Sequence, residues 1–255
     1  MTVETKSKGG SGVQSVERVF ELLETISNAG GEISLSDLAS ASGLPMPTIH
    51  RLLRTLVSLG YVRQLPSRRY ALGARLIQLG ETAGRQLGSA ARGELTALVD
   101  DLGETANMAV LDGDMIVYVA QRPSPHAMRM FTEVGRRAPT HATGVGKAIL
   151  AQLPDQEVLR IVSSAGMPVA TERSHATTES LLADLSEIRR RGYSIDDGEQ
   201  ELGVRCFAVA VPDAPTPMAI SVSGPTTRVR EDFADRAVPA LQAAARRISE
   251  ELQPQ

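Results

Sequence analysis

Cysteine is almost missing from this chain: Cys206 is the only one in 255 residues. An internal disulfide and a Cys-rich zinc site are therefore excluded, and a reducing compartment is implied. Long apolar runs are absent too, since no stretch approaches the roughly 18 residues that a membrane helix needs. The N-terminal residues, with Glu4 among Lys6 and Lys8, lack the apolar segment of a signal peptide. A cytoplasmic protein with no membrane partner is expected. The Gly-x-Ser-x-Gly elbow, the His-Glu-x-x-His zinc motif and the dinucleotide fingerprint are missing as well, and nothing calls for a metal or a cofactor. An enzyme acting on small acids would have to rest on His141, Asp196 and Cys206, three separated residues of types that most chains contain.

One further absence is local. Between Leu38 and Gly80 there is no Asp or Glu, while Arg51, Arg54, Arg63, Arg68, Arg69 and Arg75 all fall there. Arginines near phosphates release condensed counterions, and here no neighbouring carboxylate cancels that attraction. The overall charge of −3 hides the segregation. Residues 1–80 hold nine Lys/Arg and six Asp/Glu, giving +3, and residues 81–255 hold eighteen and twenty-four, giving −6. A basic end joined to an acidic part suggests a nucleic-acid-binding domain with a second domain of another task. With 42% hydrophobic and 22% charged residues, the chain can bury a core in a larger and a smaller domain.

Residues 1–11 are polar and glycine-rich, and are expected to be a disordered tail. Val16, Val19, Phe20, Leu23 and Ile26 recur at helical spacing and predict a helix ending before Gly30-Gly31. Ser34 with Asp37 fits a capping box opening a second, short helix that Gly43 closes. A third helix is predicted over Pro47–Leu59, with Ile49, Leu52, Leu53, Leu56 and Leu59 inward and Thr48, His50, Arg51, Arg54, Thr55 and Ser58 outward. A helix that follows a tight Gly-containing turn and presents such donors is the recognition helix of a helix-turn-helix. His50 is either a DNA contact or an inert exposed histidine. Tyr61–Leu65 and Tyr70–Leu72 read as two strands around a basic turn, a wing that places Arg68 and Arg69 toward phosphates or minor groove. These features bound a winged helix-turn-helix at 12–74, followed by a linker helix at 75–93 built on Leu76, Ile77 and Leu79.

The remainder, 94–252, mixes helices with antiparallel strands and predicts an α+β domain. Leu95 to Leu102 is helical, and Asp112-Gly113-Asp114 joins the strands Thr105–Leu111 and Met115–Ala120 as a hairpin. Asp184 to Arg191 is helical up to Gly192, and strands are expected at Cys206–Val211 and Met218–Ser223. In Thr140-His141-Ala142-Thr143-Gly144-Val145-Gly146-Lys147-Ala148 a glycine-containing loop enters a helix. It is not a phosphate-binding P-loop, because His141 stands where its first glycine would be and Ala148 where its Ser or Thr would be. An anion site and a tight turn into a packed helix both fit it. Ser221 and Ser223 lie two apart, so both hydroxyls share one strand face, either lining a pocket or facing solvent. Cys206 reads by default as an inert core residue.

The sequence resembles the IclR family of transcriptional regulators. The likeness rests on Val13-Gln14-Ser15-Val16-Glu17-Arg18, on Leu44-Pro45-Met46-Pro47-Thr48-Ile49-His50-Arg51-Leu52-Leu53, and on the wing ending Tyr70-Ala71-Leu72-Gly73. It continues into the second domain, where the stretches around Thr143, Asp196, Cys206 and Ser221 look most like the allantoin-utilisation repressor branch, which senses glyoxylate. The resemblance implies a GAF-like effector-binding fold and homodimers or dimers of dimers on double-stranded operator DNA. It implies a repressor of purine or allantoin catabolism released by a small carboxylate. Carried over by position, Thr143, Gly144, Val145, Asp196, Cys206, Ser221 and Ser223 would hold that acid. Thr143 and Val145 replace the Ser and Ala usual in that branch, which leaves a different acid such as allantoate open. A DNA-binding protein whose second domain only oligomerises is the remaining alternative.

Overall fold

The computed structural model describes residues 13–130 and 132–253; the tail expected at 1–11 lies outside the described residues. The chain forms two compact units that divide between Ala83 and Gly84.

The first unit opens with α1 (Gln14–Asn28), β1 (Glu32–Ile33), α2 (Leu35–Ser42) and α3 (Met46–Ser58), followed by β2 (Val62–Gln64) and β3 (Tyr70–Leu72). Leu22 and Ile26 of α1, Leu38 of α2 and Ile49, Leu53 and Leu56 of α3 meet in one core. The stripe expected on α1 is split. Val19, Leu23 and Ile26 turn inward, whereas Val16 and Phe20 are exposed, because α1 carries apolar residues on two faces and only one meets α2 and α3. Leu59, expected inward, is exposed: α3 ends at Ser58 and Leu59 is its cap. The Ser34 cap forms, with Asp37 N–H donating to Ser34 Oγ at 3.1 Å, a contact worth about 1 kcal/mol, while the Asp37 carboxylate accepts from the Ser34 hydroxyl at 2.6 Å. Gly43 then takes φ +64°, the left-handed conformation that a residue without Cβ adopts at least cost. In the sheet β3 lies between β1 and β2; β1, at two residues, is too short to show a period in the sequence.

Helix α4 (Arg75–Gly88) follows, then α5 (Arg92–Leu102), β4 (Thr105–Asp112) and β5 (Met115–Arg122). After β6 (Arg137–Pro139) come α6 (Gly144–Leu150), α7 (Asp155–Ala165), α8 (Thr178–Arg191), β7 (Ser194–Asp197), β8 (Val204–Ala210), β9 (Met218–Pro225) and α9 (Ala234–Leu252). Strands β4 to β9 build one antiparallel sheet in the order β6-β5-β4-β9-β8-β7. Met108, Phe207, Val209, Ile220 and Val222 line one face and pack with Leu95 and Leu98 of α5 and Leu241 and Ile248 of α9. Helix α8 starts six residues before Asp184, where Thr177 Oγ1 accepts from Ser180 N–H and Leu181 begins the stripe that Leu185 and Ile188 continue. Among the described residues no helix is long and apolar enough to cross a membrane.

Candidate DNA-reading surface and effector site

On α3, His50, Arg51, Arg54 and Thr55 are exposed and Thr48 is half-buried. Their orientation follows from the burial of Ile49, Leu53 and Leu56 on the opposite side. Arg51 and Arg54 make no ion pair among the described residues, so their charge is available. The wing arginines differ from each other. Arg68 sits at the turn, its N–H donating to Leu65 O at 2.9 Å, and it holds φ +62°. A three-residue hairpin loop commonly places glycine at such a position, and an L side chain there costs about 1–2 kcal/mol. Arg69, expected to reach outward beside it, instead donates to Glu32 O at 3.1 Å and pairs with the Glu32 carboxylate at 3.2 Å. It clasps β3 to β1. Arg75 is likewise committed, donating to Leu59 O at 3.1 Å with its guanidinium over the Tyr61 ring.

In the second unit the sheet face opposite α5 and α9 is made of small and polar side chains. Pairing places Asp196, Cys206, Ser223 and Thr105 side by side across four strands, with Ser194, Ala208, Ser221 and Asn107 forming the adjacent row. Four of the expected effector residues, Asp196, Cys206, Ser221 and Ser223, are thus gathered on one floor, and all are buried. Burial, and then the Asp196 charge, pushes the Cys206 thiol up to about 12, although the Ser223 and Ser221 hydroxyls act the other way. Such a thiol is neutral and no nucleophile at ordinary pH. Nor is a Cys-His pair evident, since His141 Nε2 lies 3.2 Å from Pro168 O.

Asp196 is only 6% exposed. Burial, and then the neighbouring Glu199 charge, raises its pKa to about 7, although its Oδ1 accepts backbone N–H groups of Glu199 at 2.8 Å and Gln200 at 3.4 Å. A raised carboxyl takes up a proton on folding, so its stabilising contribution is complete below the ordinary carboxylate range and is lost as pH rises to about 7. Asp196→Asn keeps the Oδ1 acceptor and cannot ionise. It is expected to match the parent near pH 4 and exceed it by about 2–4 kcal/mol at pH 8 in urea unfolding; parallel pH profiles would contradict this.

The expected loop residues divide. Thr143 caps α6, its Oγ1 donating to Pro139 O at 3.0 Å and accepting from Gly146 N–H at 3.2 Å, so its hydroxyl is already engaged. Gly144 lies against the floor, where an added Cβ would come within 2.8 Å of Cys206 Sγ. Val145 is buried with Ile116, Ala148 and Ala208 in a packed core. Thr143 does border a cavity of about 280 Å³ whose other walls include Tyr118, Thr132, Arg136, Gln200 and Glu201. None of these five was singled out by spacing. A β-bulge at Met108/Ala109 shifts the pairing that sets Tyr118 opposite Ala109, and Arg136, Gln200 and Glu201 lie outside the strands.

Beneath the loop, Lys147 is 1% exposed, and its Nζ donates to Asp184 Oδ2 at 2.6 Å and to Glu199 Oε1 at 2.5 Å. The ammonium favours the charged form of both carboxylates, yet their net shifts are opposite. Burial opposes ionisation of Asp184, yet a hydrogen bond from His175 and the Lys147 and Arg191 charges hold it at about 2. Glu199 has less help, and burial raises its pKa. His175, Asp184 and Glu199 converge to within 4.8 Å, a spacing that suits a cation; the Lys147 ammonium, bonded to both carboxylates, supplies that charge.

A winged helix-turn-helix followed by an α+β unit with a polar cavity defines a DNA-binding regulator with an effector domain. Residues 15–66 match the IclR helix-turn-helix domain, and residues 82–250 match the C-terminal domain of the bacterial transcriptional regulator IclR. The chain is 38% identical over 227 residues to the transcriptional repressor IclR of Escherichia coli (strain K12), covering 86% of this chain and 83% of the relative. It is 33% identical to the transcriptional repressor AllR of the same organism, over 87% of this chain and 83% of the relative. A solved IclR regulator from Alicyclobacillus acidocaldarius superposes with a TM-score of 0.84 at 28% identity, over 95% of this chain and 100% of that one. The chain belongs to the IclR family and is a transcriptional regulator, not an enzyme. Its likeness is shared among several members and does not single out the allantoin-utilisation branch.

Proposed function

We propose that this regulator represses its target genes by binding an operator through α3 and the wing, and that a small organic acid in the cavity bordered by Thr143 releases it. The observation that carries the DNA half is the set of arginines without an ion pair among the described residues, Arg51 and Arg54 on α3 and Arg68 at the wing tip, in a segment without acids. Thr48, His50 and Thr55 complete the reading face, and Arg69 holds the wing in place. Homodimers or dimers of dimers would read paired half-sites. The acid acts by binding the free and DNA-bound states unequally. Targets in purine or allantoin catabolism, with glyoxylate or allantoate as effector, are supported by the likeness to AllR alone.

The test is anisotropy with operator DNA selected from a random library. Arg51→Ala is expected to relax base preference at one position by about 1–3 kcal/mol, whereas Arg68→Ala weakens all sequences alike and lowers the salt slope by about one. Equal, sequence-independent losses in both would show that α3 is not the reading helix. Glyoxylate, allantoate and longer acids are then titrated into the complex; a complex unmoved by every acid would favour a second unit that only oligomerises.

A further inference from the structure

The cavity walls carry more chemical information than the polar floor. At about 280 Å³ the cavity has room for some nine waters at about 30 Å³ each. A two-carbon acid would fill only a fraction of it. Its charges are also unevenly placed. Among the described residues Arg136 is the one cation on the walls and its guanidinium makes no ion pair, while its backbone is pinned by Tyr118 N–H donating to Arg136 O at 3.1 Å. The wall contributed by Gln200 and Glu201 carries an amide and a carboxylate. Gln200 Oε1 is buried without a hydrogen-bond partner among the described residues, and Glu201 adds a carboxylate. A buried acceptor left unpaired costs free energy that a ligand donor recovers. A second anion there would meet the Glu201 carboxylate.

We propose that the cavity takes a hydroxylated monocarboxylic acid of about five or six carbons, its carboxylate at Arg136 and its hydroxyls toward Gln200 and Glu201. This rests on the reading of the cavity as the effector site, and it narrows that site to polyhydroxy acids over two-carbon acids and dicarboxylates. Each feature has a distinct role. Arg136 selects one negative charge, the Gln200 amide, whose Oε1 has no partner among the described residues, rewards a hydroxyl over a methylene, and the Glu201 carboxylate disfavours dianions.

Calorimetric titration of the full chain with D-gluconate, D-xylonate, adipate and glyoxylate tests this. At least one of the two aldonates is expected to bind tenfold or more tightly than either adipate or glyoxylate. Arg136→Gln, at an exposed position, should weaken that aldonate at least tenfold with unchanged thermal unfolding, and Gln200→Leu should weaken it while leaving glyoxylate unaffected. Tighter binding of adipate or glyoxylate, absence of binding by both aldonates, or an unchanged affinity in Arg136→Gln overturns the proposal. Release of operator DNA by glyoxylate without aldonate binding would sink it and leave the effector-site reading standing. Failure of all four acids both to bind and to release DNA would remove both.

Discussion

Lys147→Met is expected to lower the stability of the second unit by about 3–5 kcal/mol at pH 7, the cost of leaving buried charges without their partner. The side chain fits the hole, so the effect is electrostatic. Asp184 and Glu199 would face each other without the ammonium that bonds both, and Asp196 lies close enough to sense the Glu199 charge. The loss should shrink at pH 5, where these carboxylates can bind protons. In the parent the dependence runs the other way for Asp184. Its pKa is depressed to about 2, so its contribution is present above the ordinary carboxylate range and fades as pH falls through about 2. Urea unfolding of Lys147→Met and of Lys147→Met/Glu199→Gln checks the assignment, the double variant recovering part of the loss. A drop below about 1 kcal/mol in the single variant would mean that water already screens the cluster as it does a surface pair.

Gly146→Ala is expected to cost about 3 kcal/mol, the upper part of the range for overpacking a closed site. The new methyl would lie inside contact distance of Thr140 O and at 2.5 Å from Thr143 Oγ1. The first of these is backbone, so no side-chain truncation relieves it. Gly144→Ala is the informative contrast. There the nearest atom is Cys206 Sγ at 2.8 Å, with Cys206 Cβ at 3.5 Å, so Cys206→Ala should restore much of the stability lost. Thermal unfolding of the two singles, with Cys206→Ala and Thr143→Ala as partners, separates the cases. Rescue of Gly146→Ala by Thr143→Ala to the parent level would show that the loop backbone yields, and the rigid-turn argument would then fail.

The helix-turn-helix was readable because its signals are local. Ser34 and Asp37 stand three residues apart, Pro47 marks a helix start, and Ile49, Leu53 and Leu56 repeat within one element. The polar sheet face was half readable: period two put Ser221 and Ser223 on one side, but not which strands would flank them. The loop was read least well. Thr143, Gly144 and Val145 are contiguous, yet one caps a helix, one packs on a thiol and one enters the core, because helix α6 turns each residue by about 100° from the last.

Composition, charge segregation, helix periodicity and caps were decided by the sequence alone, since each depends on residues within a few positions. Those terms made the chain a DNA-binding regulator with a separate acidic domain. Tertiary structure decided which arginines stay free: Arg69 and Arg75 were claimed by Glu32 and by Leu59 with Tyr61, partners 37 and 16 residues away. It also decided that Lys147 would be a buried cation, by bringing Asp184 and Glu199 from 37 and 52 residues away. The same closure set Arg136 and Gln200 around one cavity. Such contacts leave no local pattern, because Coulomb attraction and burial act through space and the folded sheet sets which distant residues meet.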